Sequence, residues 1–298
     1  MAVKKGADYT LLRIIAYTVV TLAAIACLLP FIMLISSSFT DESEILKNGF
    51  SLFPRKFSLQ AYTVAFEFPT KIISAYMVTI TVTAVGTFFS LFFVSMAGYV
   101  LQRRDFKYRN KLSFIIYFTQ LFTVGMIPQY ILVTRFLGLT DNLLALILPP
   151  LLSPFLIILM RTFIRTAIPD SIVESAKIDG ANDFLIYRRL ILPLSTAGLA
   201  TIGLFTALSY WNDWFQGSLY IRTQSRYPLQ FYLYNLLMSA QMMKEMANVA
   251  MSSNAAMTVP QESIKMATAL IVTGPILLLY PFVQKYFVTG LTIGAVKG

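Results

Sequence analysis

Six stretches of roughly 20 mostly apolar residues, none carrying an acidic side chain, constrain this chain more than any motif, because that is the length an α-helix needs to cross a bilayer. They run from Arg13 to Ser36, Ile72 to Leu101, Leu112 to Thr134, Leu143 to Met160, Ile191 to Trp211 and Ile264 to Val283. Inside hydrocarbon the backbone has no water to bond, so the expected fold is an all-α, multi-pass integral membrane protein. Charged residues make up only 13% of the 298 residues, about half the ~25% of a soluble domain. That excludes an ordinary water-soluble enzyme, and a hydrophobic content of 57% excludes a disordered chain. The second stretch is long enough to tilt or to extend beyond the bilayer. The fourth contains Pro149, Pro150 and Pro154 and is expected to be kinked.

The first stretch follows Lys4 and Lys5 as a signal peptide would, and Ala24-Ile25-Ala26-Cys27 faintly resembles a lipoprotein cleavage site. Its apolar run nevertheless continues to Ile35, well past the 7–15 residues of a secretory core, so it is read as a retained span with Cys27 a buried small hydrophobe. Fifteen of the 24 Lys and Arg fall on the segments that are internal if both termini are cytoplasmic, and these segments are the shorter set. Cytoplasmic loops concentrate basic residues, so six spans with both ends inside is the favoured topology. The net charge of +10 is then loop charge and does not call for nucleic acid as a partner.

The chain has no histidine and one cysteine, which removes His or Cys metal sites, Ser-His-Asp and Cys-His catalysis and any internal disulfide. All 14 Asp and Glu lie outside the six apolar cores, which argues against the main alternative, an ion-coupled secondary transporter with intramembrane carboxylates. A Gly-x-x-x-x-Gly-Lys-Ser/Thr phosphate loop is also absent.

The internal segment 161–193 is the most informative. Ser171 followed by Glu174 reads as a capping box opening a short helix that ends near Ile178. Gly180 can supply the left-handed residue that terminates it, and Asn182 or Asp183 can cap a second helix leading to Pro193. Such a helix-glycine-helix elbow is either a knob that docks into another protein or a plain connector. Between the fifth and sixth stretches, Tyr220, Tyr227, Phe231, Tyr232 and Tyr234 precede a Met-rich run from Met238 to Met257. That composition suits an adaptable contact surface or an interfacial helix equally. Intramembrane Tyr76, Tyr117, Gln120, Tyr130, Tyr210 and Asn212 offer either contacts to a polar solute or helix packing.

Glu174-Ser175-Ala176, Gly180 and, after nine residues, Leu190-Ile191-Leu192-Pro193 resemble the Glu-Ala-Ala loop of ABC importer permeases, departing from its pattern at Ser175 and Leu190. Lys177 to Ala181, Trp211 to Trp214 and the ending from Gln284 to Gly298 resemble the carbohydrate-import branch, most closely the smaller permease of maltose-type systems. The run Phe50 to Tyr62 is similar to the complex-polysaccharide and lipoprotein-type subgroup. The resemblance implies a type I importer permease fold in a single domain, 1–298, with a core at 72–286. It implies a non-enzymatic subunit in a bacterial cytoplasmic membrane, paired with a second permease, two cytoplasmic ATPases that use ATP and Mg, and an extracytoplasmic solute-binding protein. No cofactor is implied for this chain itself. It further implies an oligosaccharide substrate, uronate oligomers among the candidates, and ATPase coupling through Glu174, Ser175, Ala176, Asp179, Gly180, Ala181, Leu192 and Pro193. The tail from Lys285 is expected to touch the ATPases, and Met251, Asn254 and Met257 to approach the binding protein.

Overall fold

The computed structural model describes residues 7–67, 69–122, 124–250 and 262–277. These are helical, with one isolated antiparallel bridge between Thr40 and Phe57 and no strand among the described residues. In chain order the helices are α1 (Ala7–Ser38), α2 (Glu42–Asn48), α3 (Gln60–Ala65), α4 (Pro69–Gln102), α5 (Arg109–Leu121) and α6 (Met126–Ile131). A π-turn over Leu132–Phe136 extends α6. There follow α7 (Leu144–Ile147), α8 (Pro154–Ala167), α9 (Asp170–Ile178) and α10 (Asp183–Ile186). A second π-turn over Tyr187–Ile191 leads to α11 (Leu192–Leu194), α12 (Thr196–Trp211), α13 (Phe215–Tyr220) and α14 (Leu229–Ala250). The last, α15, covers 262–277.

Two of these helices are long and apolar enough to span a bilayer unbroken, over Leu11–Ser38 and Pro69–Gln102. The third, fourth and fifth expected spans are interrupted. The fourth breaks after α7 and resumes at Pro154, as its prolines predict. The fifth is bent by 80° at Ser195 between the Asp183–Leu194 segment and α12. Of the sixth, 264–277 is helical and the remainder lies outside the described residues.

The chain forms two compact units, the first comprising residues 1–68 and 235–274, the second 69–234 and 275–298. In the first unit the apolar stretch of α1 is unburied within the chain, and Cys27 on it is exposed rather than buried as its sequence suggested. With no packing partner along its side among the described residues, a helix of this length leaves even its small residues on the surface. Order begins where α1 ends: the Phe39 ring stacks on Phe57 and Tyr62, with centroids 5.7 and 5.0 Å away. A small core of Ala61, Ile264 and Ala267 packs against Tyr62, Val64, Leu236 and Leu237.

The second unit is built on α4, which packs against both α8 and α12. Small residues let the backbones approach, as membrane helices require where lipid supplies no hydrophobic drive. A Cβ at Gly98 would lie 3.0 Å from the Arg161 backbone nitrogen of α8, and one at Gly86 would run into the Tyr210 ring. Val94, Tyr99 and Leu101 of α4 pack with Ile157, Met160 and Ile164 of α8 and with Tyr187, Ile191 and Ile202. Ser95 and Tyr187 join their hydroxyls at 2.7 Å inside this core. Tyr210 donates its hydroxyl to the Ile147 carbonyl at 2.8 Å, satisfying an acceptor released where the fourth span breaks.

Asp141 holds together the turn before α7 and the segment after α13. It adopts a positive φ of 54°, and its carboxylate accepts the Arg222 and Thr223 backbone N–H groups, each at 3.0 Å, and the Thr223 hydroxyl at 2.6 Å. These bonds, the hydroxyl foremost, pull its pKa down to about 2. The folded value lies below the ~3.9 of an unfolded Asp, so this stabilisation is complete above about pH 4 and fades as pH falls towards 2. Asp141→Asn is expected to lower Tm by roughly 2–4 °C at pH 7. The gap between wild type and variant should narrow progressively in thermal melts taken below pH 4.

Candidate functional site

Ile168 and Pro169 are both extended, and Pro169, with φ −63° and ψ 139°, turns the chain directly into α9 at Asp170. The helix therefore begins before Ser171, and Pro169, the residue at its N-cap, makes no side-chain capping bond. The capping box expected from Ser171 and Glu174 is absent for that reason: Ser171 lies inside the first turn. The C-terminal end forms as its residues predict. Gly180 has φ +81°, its N–H bonds the Lys177 carbonyl at 3.0 Å, and the Ala181 N–H reaches back to Ala176 at 2.9 Å. This pair of bonds is the Schellman arrangement, which consumes the orphan carbonyls of the last turn. Two residues later the Asn182 side chain accepts the Leu185 N–H at 2.9 Å and opens α10. The segment then widens through the π-turn, passes Leu192 and Pro193, and bends into α12.

No residue of α9 is buried. Val173, Ala176 and Ala181 rest against the α4–α8 core, while Glu174, Ser175 and Asp179 face outward. Ile178 is 87% exposed and Phe184 61%. Two large apolar side chains thus stand exposed beside acidic groups on a capped elbow.

The end of α4 grips this elbow at three places. Arg104 Nε and Gln102 Nε2 hold the Asp170 carboxylate at the start of α9, at 2.9 and 3.0 Å. Lys177, near its end, pairs with Asp105. Arg103 bridges Asp105 and Asp183, the latter at 2.6 Å. Arg103 first and Lys177 second hold the Asp105 carboxyl well below the usual carboxylate range, so the clamp stays ionised throughout the physiological range. A single exposed ion pair contributes little, and a network of them fixes geometry more than it adds stability. Asp105→Asn is accordingly expected to leave folding intact while loosening α9, read as several-fold faster amide hydrogen exchange at Gly180 and Ala181. Wild type should drift the same way as salt screens the pairs. None of the three grips was evident from sequence, where the partners lie far apart in the chain; the only trace is opposite charge at the two loops.

The six residues proposed for a solute path differ in their surroundings. Tyr210 is buried with its hydroxyl engaged, and Asn212 accepts from Gln230 at 3.1 Å and donates to the Leu208 carbonyl at 2.9 Å. Tyr130 stacks on buried Tyr220 with centroids 5.9 Å apart, Tyr76 is half-buried on α4, and Tyr117 and Gln120 are exposed on α5. A cavity of about 770 Å³ between α5 and α6 is lined instead by Thr119, Phe122, Pro128, Gln129, Leu132 and Phe136, among others. In the segment preceding the Met-rich run, Tyr220, Phe231 and Tyr232 are core residues rather than contact or headgroup aromatics. Met251, Asn254, Met257 and the tail from Lys285 lie outside the described residues. Among the described residues no cluster of His, Cys, Asp or Glu could hold a metal ion.

An all-helical chain with long apolar stretches, interrupted spans and a capped, exposed elbow is built as a membrane protein. The comparisons with known proteins agree. The model of the family described as binding-protein-dependent transport system inner membrane component matches residues 94–293, and the chain belongs to that family. It is 40% identical, over 97% of its length and 99% of the relative's, to the polygalacturonan/rhamnogalacturonan transport system permease protein YtcP of Bacillus subtilis. It is also 40% identical to protein LplC of the same organism, over 91% of this chain and 90% of that one. The crystal structure of a bacterial ABC transporter involved in the import of the acidic polysaccharide alginate contains a chain that matches with a TM-score of 0.78 and 30% identity, covering 95% of this chain and 98% of that one. The protein is thus the permease subunit of a binding-protein-dependent ABC importer, a transport component rather than an enzyme.

Proposed function

We propose that this chain and a second permease form the membrane path of an importer for acidic oligosaccharides in a bacterial cytoplasmic membrane. Two copies of a cytoplasmic ATPase drive it with ATP and Mg, and an extracytoplasmic binding protein delivers the substrate. The elbow formed by α9, Gly180 and α10 carries the reading, because its exposed Glu174, Ser175, Ile178 and Asp179 stand on a base clamped by ion pairs to the end of α4. Ala176, Ala181, Leu192 and Pro193 set its shape behind them. Six spans with both termini inside place the elbow and the α4 clamp on the cytoplasmic face, in keeping with the concentration of Arg and Lys there. The acidic character of the substrate is inferred from the names of two relatives, one concerned with polygalacturonan and rhamnogalacturonan, the other with alginate.

The test is ATP hydrolysis by the reconstituted importer with its loaded binding protein. Uronate oligomers are expected to raise it several-fold, and neutral oligomers of equal length are not. Stimulation by neutral sugars alone would refute the acidic substrate, and failure of any ATPase to copurify would refute the importer assembly. Two arms probe positions outside the described residues. Truncation after Tyr286 is expected to weaken ATPase association, and a photo-cross-linker at Asn254 is expected to capture the binding protein.

A further inference from the structure

At the junction of the α4 end, the α5 start and the α8 end lies a polar cavity of about 290 Å³. Arg104, Arg109, Arg161 and Arg165 line it, with Asn110 and a single carboxylate, Asp170. That carboxylate is already occupied by Arg104 and Gln102. Arg161 donates to the Ser113 hydroxyl at 3.0 Å and Arg109 to the Arg103 carbonyl at 3.5 Å. Neither of them, nor Arg165, forms an ion pair among the described residues. Three guanidinium groups, each with five donors, thus share one small pocket without a counterion. Their mutual repulsion favours occupation by an anion, and the planar fork of arginine matches phosphate oxygens.

We propose that this pocket binds the phosphate headgroup of an anionic glycerophospholipid. The source is a lipid and not free phosphate because the pocket opens where charge gives way to apolar surface. Immediately beyond Arg109, α5 exposes Leu112, Phe114, Ile115 and Phe118, a track along which an acyl chain can lie while its headgroup stays in the cavity. Basic pockets between membrane helices at the cytoplasmic side recognise anionic headgroups in this way. A zwitterionic lipid carries its own cation and would leave the arginines uncompensated. The proposal rests on the reading above only in naming the leaflet, the cytoplasmic one. Because Asp170 opens α9, a headgroup here also sits against the base of the elbow.

The test is native mass spectrometry of the whole importer, released from nanodiscs of mixed phosphatidylglycerol and phosphatidylcholine. Wild type is expected to retain phosphatidylglycerol preferentially. Arg165→Gln, at an exposed position with no ion pair to lose, is expected to weaken retention roughly five-fold, and Arg109→Gln/Arg161→Gln/Arg165→Gln to abolish the preference. Inorganic phosphate at 20 mM is expected not to displace the lipid. Equal retention by wild type and Arg165→Gln would overturn the proposal even if the triple variant failed to assemble. Displacement by inorganic phosphate would show a free-anion site, and absence of preference over phosphatidylcholine would show no site. Lipid retention is read without substrate, so failure of the oligosaccharide reading leaves it standing, and the reverse holds equally.

Discussion

Gly180→Val is expected to abolish coupled import, with uptake in proteoliposomes falling at least tenfold while the importer still assembles and hydrolyses ATP. Gly180 sits at φ +81° with nothing within 4 Å of where a Cβ would stand, so the defect is torsional and no neighbour is displaced. A non-glycine residue held there costs about 1–3 kcal/mol, at the upper end for a β-branched side chain. The elbow resists this weakly, because α9 buries none of its residues and owes its direction to the Schellman bonds and to the clamp. If the cap opens, Glu174 and Ile178 lose their fixed relation to Phe184 across the turn. A graded series separates this account from a general packing defect. Gly180→Asn, which tolerates the left-handed region, should keep most coupling, with Gly180→Ala between it and valine. Wild-type coupling in the valine variant would remove the elbow from the transmission path.

The reach of the sequence here follows the range of the interactions. The end of α9, the glycine and the Asn182 cap are decided within a few residues, and all three were legible. The start of α9 was misplaced because the Ile168-Pro169 extension, and not the Ser171 hydroxyl, sets it. Hydropathy located the apolar runs, and the prolines of the fourth marked its break, but neither shows which distant groups satisfy the backbone freed there. The Tyr210 bond to the Ile147 carbonyl does this. The grip of α4 on the elbow joins residues far apart in the chain, and no local pattern encodes it. A charge count treats Asp105 and Lys177 as independent loop charges, whereas the structure makes them partners.

Glu42 shows the same limit with a larger energetic consequence, and Glu42→Ala is expected to be the most destabilising single substitution among those considered. In the sequence it is one of several acids on a polar segment. In the structure it is only 5% exposed, and its carboxylate accepts the Glu262 N–H, the Ser263 N–H and the Ser263 hydroxyl, each at 2.9 Å. The two N–H groups belong to the first described turn of α15, and both donate to this one carboxylate. Ser263 is itself buried, so truncation strands donors where water does not replace the lost acceptor. Each stranded group costs about 1–3 kcal/mol, and the buried N–H and hydroxyl of Ser263 together make a loss of about 2–6 kcal/mol. Glu42→Gln keeps one acceptor oxygen without the charge and should fall between. Hydrogen exchange separates this mechanism from a diffuse loss of packing: the Glu262 and Ser263 amides should lose protection in Glu42→Ala, while those of α4 keep it. Unchanged protection at these two amides would show that α15 is capped by something other than Glu42.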